Sequence, residues 1–532
     1  MYEKSMRVKF WFYSALVTAV VVLCFMYLSI DPLRLIMVTP TFVSYVAVNF
    51  LPPNLSNIHV YLSVVLHTIA FAVVGTYISA ILSLIFGLLM SEAIMPFAAV
   101  RIAVRCIMTF MRNIPVIVWV SLMVFIFGIG SMVGLIALVM ATTGFLSRSY
   151  VESINEIAAK KLEPFRASGV STPKLIIHGL LPEFAPSLIN WTLFSFEISI
   201  RASAILGMVG AGGMGVLIQM NLNLRNFNEV STLIILLIVI VLCTEFFANY
   251  IRKKIFTTGG HFEKPEKQQQ AAQVKIRAVP VKAQLFKLFI ASAAVTVFLI
   301  SLNYLNLDTA RFIARLENFP RIMRLLMQIN PSMIIPGLQQ FLVSFTMGIV
   351  GLVLGGLLAF ILAFLAADNI APFKPLAVAI KMFVSIVRAV PSLVIILMIV
   401  AAIGFGYTTG VVGLIISTMG YLTKAFIASI EEQDTGVITA MRATGASWGQ
   451  IVLHGLLPAV ITGFLAWIAI RLETSVAESI SLGLVGAGGI GTLLSRAIRQ
   501  FDYPSVSVLI LIIFICMFCL EMLANRLRRS FA

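Results

Sequence analysis

The amino-acid sequence predicts an all-α polytopic membrane protein with about 12 transmembrane helices, arranged as two parallel six-helix repeats. Of its 532 residues, 60% are hydrophobic and 11% are charged, whereas a soluble domain usually carries about 25% charged residues. The apolar residues form blocks of about 20, the length that a membrane helix needs. Because the backbone must satisfy its own hydrogen bonds in lipid, such blocks fold as helices. The same polar motifs also occur twice at one spacing.

A constant separation relates four pairs of motifs. Arg112 and Arg388 open the first pair. The two members of every other pair are separated by the same number of residues, and we call this separation the repeat spacing. The pairs are Arg112-Asn-Ile-Pro115 with Arg388-Ala-Val-Pro391, Arg166-Ala-Ser-Gly169 with Arg442-Ala-Thr-Gly445, His178–Pro182 with His454–Pro458, and Gly207–Gly215 with Gly483–Gly491. A match without gaps over so long a stretch indicates that one unit is present twice.

The duplication divides the chain into a first repeat at 1–256, a cytoplasmic linker at 257–282 and a second repeat at 283–532. The linker is polar and rich in Gln and Lys, which predicts a flexible connection. We expect six spans in each repeat, and this even number makes the repeats parallel, with a path for a solute between them. The expected spans are 10–30, 61–90, 113–130, 132–148, 184–206 and 230–251, then 285–304, 338–367, 385–404, 411–430, 460–482 and 505–526.

The distribution of charge gives the orientation. A net charge of +16 would suit a nucleic-acid-binding protein, but the basic residues lie in loops between spans, so we apply the positive-inside rule and exclude nucleic acid as a partner. Arg252–Lys287 holds nine basic residues, and Lys4, Arg7 and Lys9 precede the first span. Both segments are therefore predicted to be cytoplasmic. The stretch 303–337 contains four arginines and yet falls on the outer side of this topology.

The most polar segment of each repeat lies between its fourth and fifth spans, at 148–182 and 431–458. In both, a predicted helix is followed by a glycine, a short helix and a proline, and glycine tolerates the positive φ of a sharp turn. One interpretation is an ordinary cytoplasmic loop with turn residues. However, the recurrence of Arg, Gly, His and Pro at the same positions in both repeats favours a shared function.

This pattern resembles the cytoplasmic coupling loop of binding-protein-dependent ABC importer permeases, in which Glu-Ala-Ala is followed by Gly and Leu-Pro at fixed distances. In that family the loop docks on the ATPase subunit, and the resemblance implies the same role here. Thr439 replaces the motif's Glu in the second repeat, and Gly179 and Gly455 replace its Ile. The matching or recurring residues are Glu163, Arg166, Gly169, His178 and Pro182, with Arg442, Gly445, His454 and Pro458.

A glycine-rich segment follows the fifth span of each repeat. Its pattern Gly-x-Gly-x-x-Gly fits the dinucleotide fingerprint, but a membrane helix precedes it where that fingerprint requires a strand, so we exclude this interpretation. The glycines either allow helices to pack closely or present backbone N–H groups to an anion on the translocation path. The residues concerned are Gly210, Gly212 and Gly213 with Gly486, Gly488 and Gly489.

The fifth spans also carry charged residues, which are costly in lipid unless they have a partner or face a cavity. Glu197 and Arg201 are four residues apart, so they can pair on one helix face, or Arg201 can attract an anionic solute. Arg471 and Glu473 lie in the corresponding span of the second repeat. Because Ala477 stands at the counterpart of Arg201, a cationic lining would be asymmetric.

The run Glu197–Gly215, together with Arg166-Ala-Ser-Gly169 and its downstream Leu-Leu-Pro, is similar to phosphonate-transport permeases. The resemblance implies a type I ABC importer permease fold. It also implies import of phosphonate, phosphite or a related phosphorus-containing anion from an extracytoplasmic binding protein, with ABC ATPase subunits on the cytoplasmic side of a bacterial inner membrane. Methionine permeases share the Gly-Ala-Gly-Gly stretch, and an ion-gradient-driven transporter is a more distant alternative.

We expect no catalytic site, metal or cofactor in this chain. The phosphate-binding pattern Gly-x-x-x-x-Gly-Lys-Ser/Thr of ATPases does not occur, so ATP hydrolysis is expected from a separate subunit. The five cysteines and five histidines are scattered without the spacing of a metal site.

Overall fold

The structure, a computed structural model, describes residues 18–258 and 281–531. All regular elements within these ranges are helices, as the sequence predicts. The predicted linker lies almost entirely outside them, as do the basic N-terminal residues. The first repeat contains α1 (Thr18–Leu28), α2 (Pro32–Asn49), α3 (Ile58–Met90), α4 (Ala98–Asn113), α5 (Val116–Phe127), α6 (Ser131–Lys161), α7 (Glu163–Ala167), α8 (Thr172–Lys174), α9 (Leu181–Leu206), α10 (Met214–Asn223) and α11 (Phe227–Thr258).

The second repeat follows the same order. It contains α12 (Val281–Tyr304), α13 (Thr309–Leu316), α14 (Phe319–Leu326), α15 (Ile334–Ala366), α16 (Lys374–Ala389), α17 (Ser392–Ile403), α18 (Tyr407–Glu431), α19 (Thr435–Ala443), α20 (Trp448–Gln450), α21 (Leu457–Leu484), α22 (Ile490–Arg499) and α23 (Tyr503–Phe531). Both ends of α15, α16, α17 and α22 lie one repeat spacing after the ends of α3, α4, α5 and α10. The sequence repeat is therefore also a structural repeat.

Eight of the described helices are long and apolar enough to cross a membrane, and three bent pairs raise the number to as many as 11. The sequence predicts about 12 spans. The remaining predicted span, 10–30, begins before the described residues, and its described part is the short apolar helix α1. The polytopic all-α fold is confirmed.

The third span of each repeat departs from the prediction of single helices at 113–130 and 385–404. Each region is instead a pair of helices, α4–α5 and α16–α17, bent by 95° and 90°. The bends fall at Ile114-Pro115 and Val390-Pro391, where the residue before proline adopts an extended conformation. A proline lacks an N–H and pushes the preceding residue out of the helical region, so a continuous helix is disfavoured. The prediction missed α4 and α16 because their charged residues interrupt the apolar run in the sequence, although they lie on one face of each helix.

The two repeats share one core. The largest cluster of buried apolar side chains includes Val118 and Leu206 of the first repeat together with Val343 and Ile480 of the second. Within a repeat, small residues allow close approach of helices: a Cβ atom at Gly355 of α15 would lie 2.8 Å from a backbone oxygen of α18. Such contacts are typical of helix packing in membranes, where burial of apolar surface does not drive association.

The long helices place two kinds of loop at opposite ends of the molecule. α9 begins beside the polar loops and, at about 1.5 Å per residue over its 26 residues, spans roughly 39 Å before it reaches the glycine segment. We call the side with loops 162–180 and 432–456 the loop end, and the side with segments 207–213 and 483–489 the far end. Gly128, after α5, also lies at the far end, because its neighbour Ile129 packs on Gly210.

Candidate functional site

The two polar loops have the helix–glycine–helix geometry that the sequence predicts. α7 carries Glu163 and Arg166 and ends before Gly169, while α19 carries Arg442 and ends before Gly445. φ is +74° at Gly169 and +78° at Gly445, a left-handed conformation that strains a residue with a Cβ atom. A Cβ at either glycine would meet no atom within 4 Å. The backbone conformation, and not crowding, therefore requires glycine.

Each loop is joined directly to the span that follows it. Pro182 and Pro458 lie in the first turns of α9 and α21, as expected. The helical path does not stop before them, because wide π-type turns at Leu175–Leu180 and Ile451–Leu456 connect α8 to α9 and α20 to α21. Each loop is therefore continuous with the span that follows it.

Buried contacts hold each loop against its own repeat. Leu180 packs in an apolar cluster with Ile94. Ile370, the counterpart of Ile94, packs beneath the second loop and accepts a hydrogen bond from Trp448 Nε1 at 2.9 Å. Arg442 donates to a carbonyl of the same turn at 3.3 Å. The loops are thus seated on the turns that follow α3 and α15.

The outer face of each loop is exposed. His178 and His454 lie on this face, as do the two prolines that follow them. Beside each histidine is an aliphatic side chain at equivalent positions: Ile177 is 56% exposed and Leu453 is 58% exposed. An exposed surface of apolar and basic groups at one end of the molecule suits a protein partner.

An ion-pair cluster joins the two repeats at α9. Glu197, which is 5% exposed, accepts a hydrogen bond from Arg201 Nη2 at 3.1 Å. Arg388 of the second repeat approaches Glu197 to 3.8 Å, and its carbonyl accepts from Arg201 Nη1 at 3.3 Å. Arg388 also lies 3.5 Å from Glu245, which Lys424 contacts as well. We call these five residues the Glu245 cluster. The predicted i,i+4 pair of Glu197 and Arg201 is therefore present, and Arg388 of the other repeat adds a second cation beside Glu197.

A second cluster lies at the equivalent place in the other repeat. Glu521, which is 6% exposed, pairs with Arg112 and lies 2.6 Å from Arg148. Asn113 donates its side-chain N–H to the same carboxylate at 2.8 Å. We call these four residues the Glu521 cluster. It again links the last span of one repeat to helices of the other.

The two clusters are related by the internal repeat. Arg112 of the first repeat contacts Glu521 of the second, and Arg388 of the second repeat contacts Glu245 of the first. Both members of each contact are offset by the repeat spacing, which is the reciprocity that a two-fold axis requires. The third members, Arg148 and Lys424, are equivalent too.

The charged residues predicted in α21 are arranged differently. Arg471 is buried and forms two hydrogen bonds of 2.9 Å with Glu478, and its guanidinium lies 5.3 Å from the ring centre of Tyr421. Within the described ranges Glu473, the counterpart of Glu197, has no hydrogen bond or ion pair. Arg471 is therefore engaged in a structural network, whereas Glu473 interacts at longer range with Arg112 and Arg148 of the other repeat.

The glycine segments pack tightly against neighbouring helices. Gly210, Gly212 and Gly213 have φ between +74° and +104°, and Gly486, Gly488 and Gly489 have φ between +74° and +100°. Side chains cover them, including Ile129 and His67 in the first repeat and Phe405 and Tyr407 in the second.

Several N–H groups of these segments already have acceptors. Gly486 and Ala487 donate to carbonyls of the helix end, while Met214 and Ile490 donate to the hydroxyls of Thr68 and Ser344. The close packing agrees with the first of the two predicted roles of these glycines, and their anion-binding role stays a prediction.

Comparison with protein families assigns the chain. The model of the family described as binding-protein-dependent transport system inner membrane component matches twice, at residues 83–257 and 355–532. The chain belongs to this family. Both matches include a polar loop, a glycine segment and residues of both charge clusters, so the chain is a permease with two fused family units.

Named relatives of this permease handle small solutes. The phosphate-import permease protein PhnE of Mycolicibacterium smegmatis is 26% identical over 486 residues, 90% of this chain and 87% of that one. The phosphite transport system permease protein PtxC of Stutzerimonas stutzeri is 25% identical over 45% of this chain and 87% of its own. The methionine import system permease protein MetP of Bacillus subtilis is 28% identical over 27% of this chain and 69% of its own. The first match spans both repeats.

Sequence analysis of the permease did not assign the residues that join its repeats. Arg112, Arg388, Glu245 and Glu521 are all members of the clusters and were absent from the predicted site. A signal was available, because each is a charge in or beside an apolar span and each recurs at the repeat spacing.

Proposed function

We propose that this permease is the transmembrane subunit of an ATP-driven importer, with ATPase subunits docked on its two polar loops. The observation that carries the proposal is the direct connection of each exposed glycine turn to α9 or α21. α9 in turn carries Glu197 and Arg201, which touch the other repeat. A partner that moves the loops would thus act on the interface between the repeats.

The proposed substrate is a phosphonate or a related phosphorus-containing anion, delivered by an extracytoplasmic binding protein to a permease in the bacterial inner membrane. The names of the relatives that match most of their own length support this class. The charge of the Glu245 cluster agrees with it, because three cations (Arg201, Arg388 and Lys424) face two carboxylates (Glu197 and Glu245). An excess of one positive charge in a medium of low dielectric constant favours an anion.

In the proposed cycle, the loops move when the ATPase subunits close. α9 then shifts against Arg388, which lies 3.8 Å from Glu197 and donates a long hydrogen bond of 3.5 Å to Glu245. Separation would expose Arg201 and Arg388 to the path between the repeats. Glu473 lacks an arginine at the position four residues later, so the attraction would act on one side of the path.

The loop assignment is tested in the complete transporter, reconstituted with its ATPase and binding protein. Gly169→Val and Gly445→Val should each abolish substrate-stimulated ATP hydrolysis, because valine disfavours positive φ, while the permease still inserts. Gly449→Val is the matched control, since Gly449 lies in the same loop without positive φ and a Cβ there meets no atom within 4 Å. Normal stimulated hydrolysis in both test variants would contradict the assignment.

The substrate class is tested by uptake into lipid vesicles that contain the same reconstituted transporter. Radiolabelled methylphosphonate or phosphate should accumulate only with ATP, and unlabelled methionine should not compete. ATP-driven accumulation of methionine without either phosphorus compound would contradict the substrate class. Accumulation driven by an ion gradient alone would contradict the importer class.

A further inference from the structure

A cavity of about 480 Å³ lies at the far end of the molecule, between the two repeats. Its floor is the end of α5, and α13, α14 and the start of α23 form its walls. Its volume falls in the range of small-molecule sites, about 300–1,000 Å³. α13 and α14 belong to the arginine-rich stretch that the predicted topology places outside.

The polar lining of the cavity consists of hydrogen-bond donors. Arg315, Arg321, Asn318 and Tyr503 line it, and no carboxylate does. Arg315 is held in place because its Nη1 donates to the carbonyl of Phe127 and, at 3.3 Å, to a second carbonyl beyond α5. Within the described part of the chain, the side chains of Arg321, Asn318 and Tyr503 make no hydrogen bond or ion pair. The cavity therefore offers unused donors and two guanidinium charges.

The rest of the lining is apolar. Ile126, Phe127, Ile322 and Leu325 surround the donors. A ligand that satisfies both parts has an oxyanion head and a short apolar substituent. Guanidinium groups match the geometry of phosphate-type oxyanions, to which they donate pairs of hydrogen bonds.

The fold itself does not require this donor set. In the first repeat, the positions one repeat spacing before Arg315, Asn318 and Arg321 are occupied by Thr39, Phe42 and Tyr45, all in α2. α2 packs on α17 through an apolar cluster that includes Val38 and Phe42. The same place in the architecture is thus filled by apolar packing on one side and by a cationic cavity on the other.

We propose that this cavity is an outer binding site for a phosphorus oxyanion that carries an apolar substituent. A free organophosphonate and the head group of an anionic phospholipid share this chemistry. The placement on the outer side and the link to transport rest on the proposed function, whereas the binding chemistry rests on the cavity alone.

The test uses the full-length permease in phosphatidylcholine nanodiscs, titrated by calorimetry with phenylphosphonate and with inorganic phosphate. Phenylphosphonate should bind more tightly than phosphate, because only its ring contacts the apolar walls. Arg321→Gln should weaken its binding by about tenfold or more, since a hydrogen bond to a charged group is lost. Arg324→Gln is the matched control: it removes the same charge from the same helix outside the cavity.

A second set of nanodiscs contains phosphatidylglycerol and distinguishes the two ligand sources. In one outcome, neither soluble probe binds, but the purified protein retains phosphatidylglycerol, and this retention is lost in Arg321→Gln and kept in Arg324→Gln. That outcome would support the oxyanion site with a lipid as its ligand. The proposal is overturned if neither probe nor lipid depends on Arg321, or if both variants lose binding equally.

Uptake assays separate this inference from the proposed function. If the complete transporter imports phosphonate and Arg321→Gln binds phenylphosphonate like the parent protein, the cavity proposal fails and the importer stands. If phenylphosphonate binds in an Arg321-dependent way but no phosphorus compound is transported, the cavity stands and the proposed substrate fails.

Discussion

Removing a member of the Glu521 cluster tests whether the clusters hold the repeats together. Glu521 is 6% exposed and contacts Arg112, Arg148 and Asn113. Loss of one member of a buried pair costs about 3–5 kcal/mol, because the other charge stays buried without a partner. Arg148 retains Glu152 at 2.8 Å. We therefore expect Glu521→Ala to lower the free energy of unfolding by about 3 kcal/mol, the lower end of that range.

A double-mutant cycle isolates the pair. Arg112→Ala, Glu521→Ala and the double variant should give a coupling free energy of about 2 kcal/mol in the full chain, measured by reversible unfolding in mixed detergent micelles. The control cycle uses Arg105 and Glu92, an ion pair of 3.6 Å whose side chains are 53% and 69% exposed, for which we expect less than about 1 kcal/mol. Equal coupling in the two cycles would refute the argument that the buried Glu521 cluster stabilises the contact between the repeats.

Three further outcomes are expected. The Arg201→Ala variant should accumulate in the membrane, because Glu197 keeps Arg388 nearby, yet it should fail to take up substrate. Recovery of uptake in the double variant, Arg201→Ala with Glu197→Ala, would show that Arg201 only neutralises Glu197. Gly491→Ala should lower the free energy of unfolding by about 2 kcal/mol or more, because its Cβ would collide with the backbone of the preceding helix, whereas Gly449→Ala should have little effect in the same unfolding measurement. In a variant without native cysteines, Gln270→Cys should resist a membrane-impermeant thiol reagent in intact cells; ready labelling would place the linker outside and contradict the six-plus-six layout.

Local and periodic features of this fold could be predicted from the sequence. The duplication, most of the spans and the glycine turns at Gly169 and Gly445 depend on residue spacing and on the conformational freedom of glycine, both of which are visible in the chain. Pro115 was a signal for the bend, but we predicted a single helix there and missed α4, because Arg101, Arg105 and Arg112 interrupt its run of apolar residues.

The contacts between the repeats could not be predicted in the same way. Arg112 and Glu521 are separated by 409 residues, and no local rule assigns one to the other. The repeat spacing showed that each charge has a counterpart, but only the placement of one repeat against the other decides which charges meet. Likewise, the four arginines of 303–337 contradicted a simple count of basic residues, and the structure shows that Arg315 and Arg321 line a cavity at the far end.

Fusion of two units in one chain has a physical consequence for an anion path. In a symmetric dimer of single units, every charge on the path occurs twice, and two arginines at one depth would repel each other and bind an anion from both sides. Here the counterpart of Arg201 is Ala477, while Arg471 is the counterpart of Ser195 and is tied to Glu478. Arg388 has a counterpart in Arg112, whereas the attraction of Arg201 acts from one side. An anion at the depth of Arg201 can therefore be drawn in without being held by two opposed guanidinium groups. Conduction through a path requires binding that is favourable enough for a solute to enter and weak enough for it to leave.

We therefore expect Ala477→Arg, which restores the symmetry, to increase retention of phosphonate and slow its uptake, while Ala477→Gln, of similar length but neutral, should transport at nearly the parental rate. Faster uptake in Ala477→Arg would contradict the view that one-sided charge is an advantage of the fused chain.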